Sequence, residues 1–383
     1  MNFDEKILQD FPHNKIYMNN ASVSMMPMPC ITKMKNFLVT YNNIGPDSRE
    51  SETLLAEELA KTRKAISKLL HCATNKIILT QSTTDGVNIT SNGLSFKSKS
   101  NIILRGSNHE HHANYYPWLK LSPRIQIRNL EINENGFFDM TNFYNNIDNN
   151  TELVVLSHAL YNTGSIMPID KIGRILDEKH IPYFIDAAQT IGCLDEFNVD
   201  KCKCTFASFN GSKWLCGPMG TGIFYCGEPN LLLPTDVGGE SAILFKNKLV
   251  YKDIPNKFQT GFRNYVGAVG LNESINYLLE IGLNKIRNIV IKLANILRNE
   301  LLKIKNVTIY GPEDPNMRTS IVSFNLNDVD PHLVVNRLDK KKIVIAVREI
   351  YNKKIIRISP HFFNTEDEIM TVVNEIKIIV MTT

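Results

Sequence analysis

Hydrophobic residues recur along the first part of the chain in two alternating patterns. The stretch LLAEELAKTRKAISKLL, which begins at Leu54, has apolar residues at helical spacing and is followed by the short apolar run KIILT. The stretch DGVNITSNGL also has helical character, and the apolar run NIILR follows it. Helices that alternate with short apolar strands predict a mainly parallel sheet covered by helices.

The middle of the chain continues this alternation. Apolar runs indicate strands at residues 152–158, 181–188, 205–209 and 222–226, with a helix at 169–179. Ligands of such sheets bind at the carboxyl ends of the strands. We therefore predict an α/β fold, a three-layer α/β/α sandwich around a mixed, mostly parallel sheet, with a ligand site at that edge.

The pattern changes near residue 258. A long helical run covers residues 266–304, and the strand-like runs VTIYG and TSIVSFNL follow it. The last part of the chain has apolar residues at helical spacing from Ile369 to Val380, as expected of a helix that packs on a core. We predict a large domain at 15–257 and a smaller C-terminal α+β domain at 258–383, with the N-terminal segment 1–14 packed nearby.

Composition narrows the class of protein. Of the 383 residues, 43% are hydrophobic and 21% are charged, values typical of folded globular proteins rather than disordered or collagen-like chains. The net charge of +4 is spread thinly, so nucleic acid is not expected as a partner. No window has the length and apolar character of a membrane span, and the N-terminus lacks the apolar run of a signal peptide.

Cysteine usage indicates a reducing compartment. The chain has seven cysteines, an odd number without a repeated CxxC spacing, which fits reduced thiols in the cytoplasm better than a disulfide framework. Cys202 and Cys204 flank one lysine and lack a second matching pair, so a zinc site is not expected there. We predict a cytoplasmic protein without a bound metal.

A lysine in an apolar, glycine-rich segment is the first candidate for chemistry. In FNGSKWLCGPMGTGIFY, Lys213 lies among glycines that let the backbone approach a ligand, and Trp214 and Leu215 would remove water from its amine. Desolvation lowers the pKa of a lysine and frees it to form a Schiff base. The glycine spacing matches neither a phosphate-binding Walker loop nor the GxGxxG turn of dinucleotide-binding domains. Taken without its surroundings, a lysine such as Lys213 is far more often an ordinary surface residue than a catalytic one.

Two further segments place polar residues at predicted strand ends. Asp186 ends the apolar run in FIDAAQTIG, where its carboxylate could pair with a protonated pyridine nitrogen or cap a turn. In LTQSTTDGVN a strand ends in Ser82, Thr83 and Thr84 and a helix begins. The free amides and dipole of that helix start fit an anion site, and a simple helix cap is the alternative.

Histidines are concentrated in NHEHHANYYPW, which contains His109, Glu110, His111 and His112. This composition would suit a metal site, but no fixed ligand set with supporting partners is visible. A histidine ring could instead lie flat on a cofactor ring.

Taken together, these segments resemble the class V aminotransferase and cysteine desulfurase family of fold-type-I enzymes, which use pyridoxal 5'-phosphate (PLP). The resemblance runs from about residue 16 to 376. It also includes IYMNNASVS as the opening strand and turn, SHALYNTGSIMPI as the asparagine segment, and FQTGFRN as the segment lent across a dimer. It implies a PLP-binding large domain, a small-molecule amino acid as substrate, and a homodimer.

The resemblance also implies roles for individual residues. Lys213 matches the lysine that joins the cofactor, Asp186 the partner of the pyridine nitrogen, and His111 the stacking ring, which makes these three the catalytic candidates. Asn162 and Gln189 match neighbours of the ring hydroxyl. The remaining matches are to phosphate-binding positions and to the substrate site: Thr83, Thr84, Asn210 and Ser212 for the phosphate, and Arg357, Asn20 and Ala21 for the substrate.

Three departures bear on cofactor binding and reaction. Asn210 and Ser212 stand where the family commonly has serine and histidine, and both can still hydrogen-bond a phosphate. Phe262 stands where a phosphate-binding threonine is usual, and Arg263 beside it could compensate. The segment IAVREIYNKKIIRISP is short and lacks the cysteine that takes up sulfur as a persulfide in cysteine desulfurases.

We therefore expect a PLP-dependent carbon–sulfur lyase that works by elimination through a Schiff base on Lys213. An aminotransferase, an epimerase or an atypical cysteine desulfurase of the same family remains open, because fold and cofactor do not fix the reaction. A non-catalytic scaffold that kept the fold is a more remote alternative. A nicotinamide enzyme would need the GxGxxG turn that this chain lacks.

Overall fold

The computed structural model describes residues 3–106, 109–261, 263–350 and 352–382. Phe262, on which one expectation about the phosphate site depends, lies outside the described residues. The helices of the described chain are α1 (Phe3–Asp10), α2 (Met28–Asn43), α3 (Arg49–Leu70), α4 (Thr83–Gly93), α5 (Tyr116–Leu119), α6 (Met140–Asn146), α7 (Ile169–Glu178), α8 (Tyr265–Ile281), α9 (Leu283–Leu301), α10 (Pro331–Lys340) and α11 (Glu366–Met381).

The strands alternate with these helices through most of the chain. They are β1 (Ile16–Tyr17), β2 (Ile77–Thr80), β3 (Asn101–Arg105), β4 (Gln126–Leu130), β5 (Thr151–Ser157), β6 (Tyr183–Asp186), β7 (Phe206–Asn210), β8 (Gly222–Cys226), β9 (Ala242–Phe245), β10 (Lys248–Tyr251), β11 (Val307–Tyr310), β12 (Val322–Leu326), β13 (Ile343–Val344), β14 (Ala346–Ile350) and β15 (Lys353–Ile358).

The central sheet has seven strands in the order β2-β8-β7-β6-β5-β3-β4. Neighbouring strands in this sheet are parallel, except that β8 runs antiparallel to both β2 and β7. Apolar clusters cover both faces of the sheet, as expected for strands whose side chains are buried on both sides. The predicted α/β fold with a mixed, mostly parallel sheet is confirmed.

A second sheet lies in the C-terminal part of the chain. It has four antiparallel strands in the order β11-β12-β15-β14, and its core includes buried residues of α9, α10 and α11. The short strand β1 pairs in parallel with β13, so the chain near its N-terminus is joined to this C-terminal sheet. The division into domains at residue 257 stays a prediction. Helix α8, which follows this boundary, packs on α2 and α3, and its apolar residues belong to the core of the large sheet.

The long helix predicted at 266–304 is broken. Gly282 separates α8 from α9 with a φ of 92°, a conformation that glycine adopts without the steric cost that a side chain imposes. Helical periodicity on both sides of the break made the two helices look continuous in the sequence. Among the helices of the described chain, none is long and apolar enough to cross a membrane.

Candidate active site

A cavity lies at the carboxyl ends of the central parallel strands. Most of its lining residues end a strand or follow one directly, because parallel strands present their carboxyl ends at one edge of the sheet. The lining residues are Ser82, Thr83, Thr84, His111, Ala113, Ser157, Ala159, Tyr161, Asp186, Ala188, Gln189, Asn210 and Lys213. The structure thus brings together the lysine, the aspartate, the histidine and the two threonines that the sequence singled out.

Lys213 is held in the cavity by a tight loop between β7 and β8. Gly211 permits this loop, because a Cβ atom there would lie 2.3 Å from Thr221 Oγ1. The neighbouring side chains of Trp214 and Leu215 are fully buried. Burial lowers the pKa of Lys213 to about 8, although the charge of Asp186 opposes that shift. The amine can therefore hold or release a proton near neutral pH.

Asp186 is the last residue of β6 and is buried. Its Oδ1 atom accepts a hydrogen bond of 2.9 Å from the backbone N–H of Ala188. Burial raises the pKa of the Asp186 carboxyl, while that hydrogen bond and the charge of Lys213 lower it. A buried carboxylate that faces a cavity has room for one cationic partner.

His111 presents a neutral ring to the cavity. Its Nδ1 atom accepts a hydrogen bond of 3.2 Å from the backbone N–H of Ala113, so the other ring nitrogen carries the hydrogen. Partial desolvation and then the charge of Lys213 lower the pKa of His111 to about 4. The edge of the ring meets Tyr161 with centroids 5.0 Å apart at 87°. A neutral, oriented imidazole is suited to stacking on a flat cofactor ring.

The start of α4 forms one end of the cavity. Ser82 is the helix cap, since its hydroxyl accepts a hydrogen bond from the backbone N–H of Asp85 at 3.2 Å. Thr83 and Thr84 form the first helical positions and line the cavity. The helix-cap interpretation is therefore correct for Ser82, and an anion site at Thr83 and Thr84 stays a prediction.

Asn210 and Ser212 lie beside this helix start. Asn210 Nδ2 is 3.4 Å from Ser212 Oγ, and Asn210 Oδ1 is buried without a hydrogen-bond partner in the described part of the chain. The two ends of an amide group can exchange places with little change in shape. Turning this amide would present a donor to the end of the cavity formed by the start of α4.

Gln189 lines the cavity, but its polar atoms bind the protein. Its Nε2 atom donates to the Ala21 carbonyl at 3.0 Å, and its Oε1 atom accepts from Trp214 Nε1 at 2.8 Å. Asn20 is fully buried and donates to the Ser359 carbonyl at 2.9 Å. Asn20 and Ala21 thus lie behind the cavity wall rather than in its lining.

Asn162 is also outside the lining. Its Nδ2 atom donates to the Glu349 carbonyl at 3.1 Å, and its Oδ1 atom accepts from the backbone N–H of Thr163 at 2.9 Å. The preceding residue, Tyr161, lines the cavity instead. The sequence pattern did not reveal which of the two side chains faces the cavity.

Arg357 lies one residue layer behind the cavity, buried beneath Tyr161. Its Nη1 atom donates to the Tyr161 carbonyl at 2.7 Å, and its Nη2 atom donates to Ser22 Oγ at 2.6 Å. Arg348, which the sequence analysis did not single out, donates to the same hydroxyl at 2.5 Å. Burial and then the charge of Arg348 hold the pKa of Arg357 well below its usual range. Two cations that share one neutral acceptor favour the binding of an anion such as a substrate carboxylate.

A charged network behind Asp186 was also missed. Arg105 is fully buried at the end of β3 and donates to the Ser157 carbonyl at 2.9 Å and to the Gly136 carbonyl. The Ser157 hydroxyl donates to Glu110, whose Oε1 atom also accepts from the backbone N–H of His111 at 2.9 Å. An arginine that ends an otherwise apolar strand, as in NIILR, was the signal for this network.

The cysteines lie away from the cavity wall. Of the described residues that line the cavity, none is a cysteine. Strands β14 and β15 pair from Ala346 with Arg357 to Ile350 with Lys353, so almost all of the chain between Arg348 and Arg357 is paired strand. Burial raises the pKa of the Cys216 and Cys226 thiols to about 12, so both are poor nucleophiles.

Arg263 lies in a second cavity near the first. This cavity is also lined by Gly220, Gln259 and Thr260, and the Nε and Nη2 atoms of Arg263 are buried without partners in the described chain. A guanidinium in this state has free donors for an anion or for another chain.

Curated proteins match this chain over most of its sequence. A probable cysteine desulfurase of Methanothermobacter thermautotrophicus is 30% identical over 386 residues, covering 95% of each chain. The cysteine desulfurase of Wigglesworthia glossinidia brevipalpis is 31% identical over 346 residues, covering 86% of this chain and 82% of the other.

Solved structures with the same fold match nearly the whole of this chain. The apo structure of a cysteine desulfurase from Thermococcus onnurineus NA1 matches with a TM-score of 0.93 at 25% identity and covers 100% of this chain and 99% of the other. The cystine C-S lyase C-DES, solved with its product cysteine persulfide, matches with a TM-score of 0.88 at 22% identity, covering 96% and 99%. The family model for aminotransferase class-V matches residues 16–372, and the chain therefore belongs to this family of PLP-dependent enzymes.

Proposed function

We propose that this enzyme is a carbon–sulfur lyase that acts on a small sulfur-containing amino acid, and that the sulfur leaves by elimination without transfer to a cysteine of the chain. The observation that carries the proposal is that the chain between Arg348 and Arg357 consists almost entirely of the paired strands β14 and β15, together with a cavity whose described lining has no cysteine. Thiolate attack on a substrate sulfur requires a thiol within reach.

The cavity residues fit PLP. The buried Asp186 carboxylate faces the cavity and would hold the pyridine nitrogen, and Lys213 would join the aldehyde carbon. The Asn210 amide oxygen, which has no partner in the described chain, lies beside the start of α4. With the amide turned, its nitrogen would donate to the phosphate together with Thr83 and Thr84. The neutral His111 ring would cover one face of the cofactor.

The chain's own groups supply the acid–base steps. When bound, PLP provides an electron sink for the charge that develops at the substrate α-carbon. Lys213, with a pKa of about 8, can take the α-proton at Nζ near neutral pH. Arg348 and Arg357 would hold the substrate carboxylate, and that contact directs the α-hydrogen and the sulfur-bearing carbon of the substrate into the cavity.

A cysteine desulfurase with a thiol acceptor from outside the chain is the second candidate. The names of the curated relatives favour it, since both relatives described above are called cysteine desulfurases or probable cysteine desulfurases. The two candidates differ in the carbon product, because elimination yields pyruvate and ammonia whereas sulfur abstraction yields alanine.

Product identification tests the proposal. The PLP-loaded enzyme is incubated with L-cysteine and with L-cystine, and the carbon products are separated and quantified. Pyruvate and ammonia in equal amounts support elimination, and alanine as the main product contradicts it. A keto acid acceptor that stimulates turnover would instead indicate transamination. Lys213→Ala should abolish turnover, whereas Lys201→Ala, which removes an exposed lysine, should leave it unchanged.

We also propose a homodimer in the cytoplasm. The β9–β10 hairpin carries apolar side chains that are largely exposed, such as Leu244 at 72% and Phe245 at 58%, and surfaces of this kind commonly bind another chain. The Nε and Nη2 atoms of Arg263, which have no partner among the described residues, would gain partners from a second chain. All seven cysteines are free, which supports a reducing compartment. Sedimentation that shows a stable, active monomer would contradict the dimer, and recovery from a secreted fraction would contradict the location.

A further inference from the structure

Tyr161 belongs to the cavity wall, although its neighbour Asn162 was the residue that the sequence selected. The Tyr161 ring packs edge-on against His111, and its backbone carbonyl is fixed by the buried guanidinium of Arg357. The side chain therefore lies between the histidine that would cover the cofactor and the arginines that would hold the substrate. The contact with the His111 ring and the hydrogen bond from Arg357 together fix the position of Tyr161.

The amide of Asn162 already has protein partners. Its nitrogen donates to the Glu349 carbonyl and its oxygen accepts from Thr163, so it ties the 158–166 turn to strand β14. Asn162 is also fully buried, and it is not among the residues that line the cavity. These contacts give Asn162 a structural role, because its amide joins the 158–166 turn to the C-terminal sheet.

The edge of the cofactor that carries its ring hydroxyl needs a partner. This hydroxyl lies next to the aldehyde carbon and on the side opposite the phosphate, so the residues assigned to the ring nitrogen, the aldehyde and the phosphate do not serve it. Gln189, Ser157 and Tyr161 are the polar lining residues left for this edge, and the Ser157 hydroxyl already donates to Glu110. The Gln189 amide donates one hydrogen to the Ala21 carbonyl and accepts from Trp214, so a single amide hydrogen is left there, and we assign this edge to the Tyr161 hydroxyl.

We propose that Tyr161 donates the hydrogen bond to the ring oxygen of PLP, the role that the sequence resemblance assigns to Asn162. Burial raises the pKa of the Tyr161 phenol, and the charges of Glu110 and Glu349 act in the same direction, against Arg348 and Arg357. The phenol is therefore neutral near pH 7 and available as a donor. Tyr161 is in this respect a cofactor-binding residue that tunes the charge on the ring oxygen.

The experiment measures the cofactor and needs no substrate. Wild-type and Tyr161→Phe enzymes are loaded with PLP, and the visible absorbance of the bound cofactor is followed from pH 5 to 10. A hydrogen bond to the ring oxygen stabilises its negative charge and weakens its hold on the proton at Lys213 Nζ. Loss of the bond should raise the midpoint of the titration by about one pH unit and weaken PLP binding about tenfold.

Two further variants complete the test. Asn162→Ala should lower the melting temperature and leave the absorbance midpoint unchanged, and Tyr144→Phe, which alters a partly exposed tyrosine on α6, should change neither. An unchanged midpoint in Tyr161→Phe, or a shift in Asn162→Ala of the size expected for Tyr161→Phe, would overturn the assignment. The inference rests on PLP as cofactor and is independent of whether the reaction is elimination or desulfuration.

Discussion

Ser157 and Asp186 lie opposite one another in the register of the parallel strands β5 and β6. The Ser157 hydroxyl donates to Glu110, so this pairing brings a second buried carboxyl close to the candidate catalytic aspartate. The other oxygen of Glu110, Oε2, is buried without a partner in the described chain. A carboxyl in this setting is most stable when it is protonated.

Glu110 should make the stability of the enzyme depend on pH. Burial and then the charge of Asp186 raise the pKa of Glu110 from 4.5 to about 7 in the folded protein. Between these two pKa values the folded state holds a proton that the unfolded state releases. The protonated carboxyl therefore contributes fully to the free energy of unfolding below pH 4.5, and this contribution is lost as the pH rises through 7. The loss amounts to roughly 3 kcal/mol.

Urea unfolding of wild-type and Glu110→Gln enzymes from pH 4.5 to 8 measures this dependence. Because glutamine does not ionise, the free energy of unfolding of the variant should not show the decline between pH 4.5 and 8 that wild type shows. Glu228→Gln, which changes an exposed glutamate, should keep the wild-type profile. Parallel profiles for wild type and Glu110→Gln would show that Glu110 is ionised in the folded protein.

The charge of Asp186 should set the pKa of Lys213. Because that charge raises the pKa of the lysine against the larger effect of burial, Asp186→Asn should lower it from about 8 by about one unit. The measurement is the rate at which the apoenzyme takes up PLP as a function of pH, since only the neutral amine reacts. The rate should level off near pH 8 in wild type and near pH 7 in the variant. Asp195→Asn, an exposed control, should behave as wild type, and equal midpoints for all three proteins would refute the coupling.

The two arginines behind Tyr161 should contribute to substrate binding in different ways. Replacing either with glutamine removes a charged donor for the carboxylate and should raise KM by roughly 10- to 100-fold. Arg357 is buried and bound to Tyr161, so Arg357→Gln should also lower the melting temperature, whereas the half-buried Arg348 should affect KM alone. Steady-state kinetics and thermal unfolding separate the two effects, with exposed Arg124→Gln as control. An unchanged KM in both variants would place the carboxylate elsewhere.

The last helix should depend on its first turn. Thr365 and Glu368 form a reciprocal capping box, with Glu368 N–H to Thr365 Oγ1 at 3.1 Å and Thr365 N–H to Glu368 Oε2 at 3.0 Å. Thr365→Ala should therefore reduce the free energy of unfolding by about 1 kcal/mol. Thr371→Ala on an exposed position of the same helix is the matched control and should have a smaller effect. Equal losses would mean that the cap contributes nothing specific.

Local patterns predicted much of the sheet and the cavity. Apolar runs identified β5, β6, β7 and β8 to within a few residues, because a strand buried on both faces must be continuously apolar. Strand ends then placed Lys213, Asp186 and Thr83 at one edge, and the structure brings them into one cavity. The exposed β9–β10 hairpin and the edge strand β4 were not predicted, since partly exposed strands lack that continuous pattern.

Side-chain direction inside the turns could not be inferred in the same way. The 158–166 segment is irregular, so no periodicity tells whether Tyr161 or Asn162 faces the cavity, and one residue of register decides it. The shared acceptor of Arg348 and Arg357, and the network of Arg105 with Glu110, join residues far apart in the chain. Strand order and residue type follow from burial and local spacing, which are properties of short segments. The partners of the buried charges depend on how separate segments pack, and only the folded chain sets those distances.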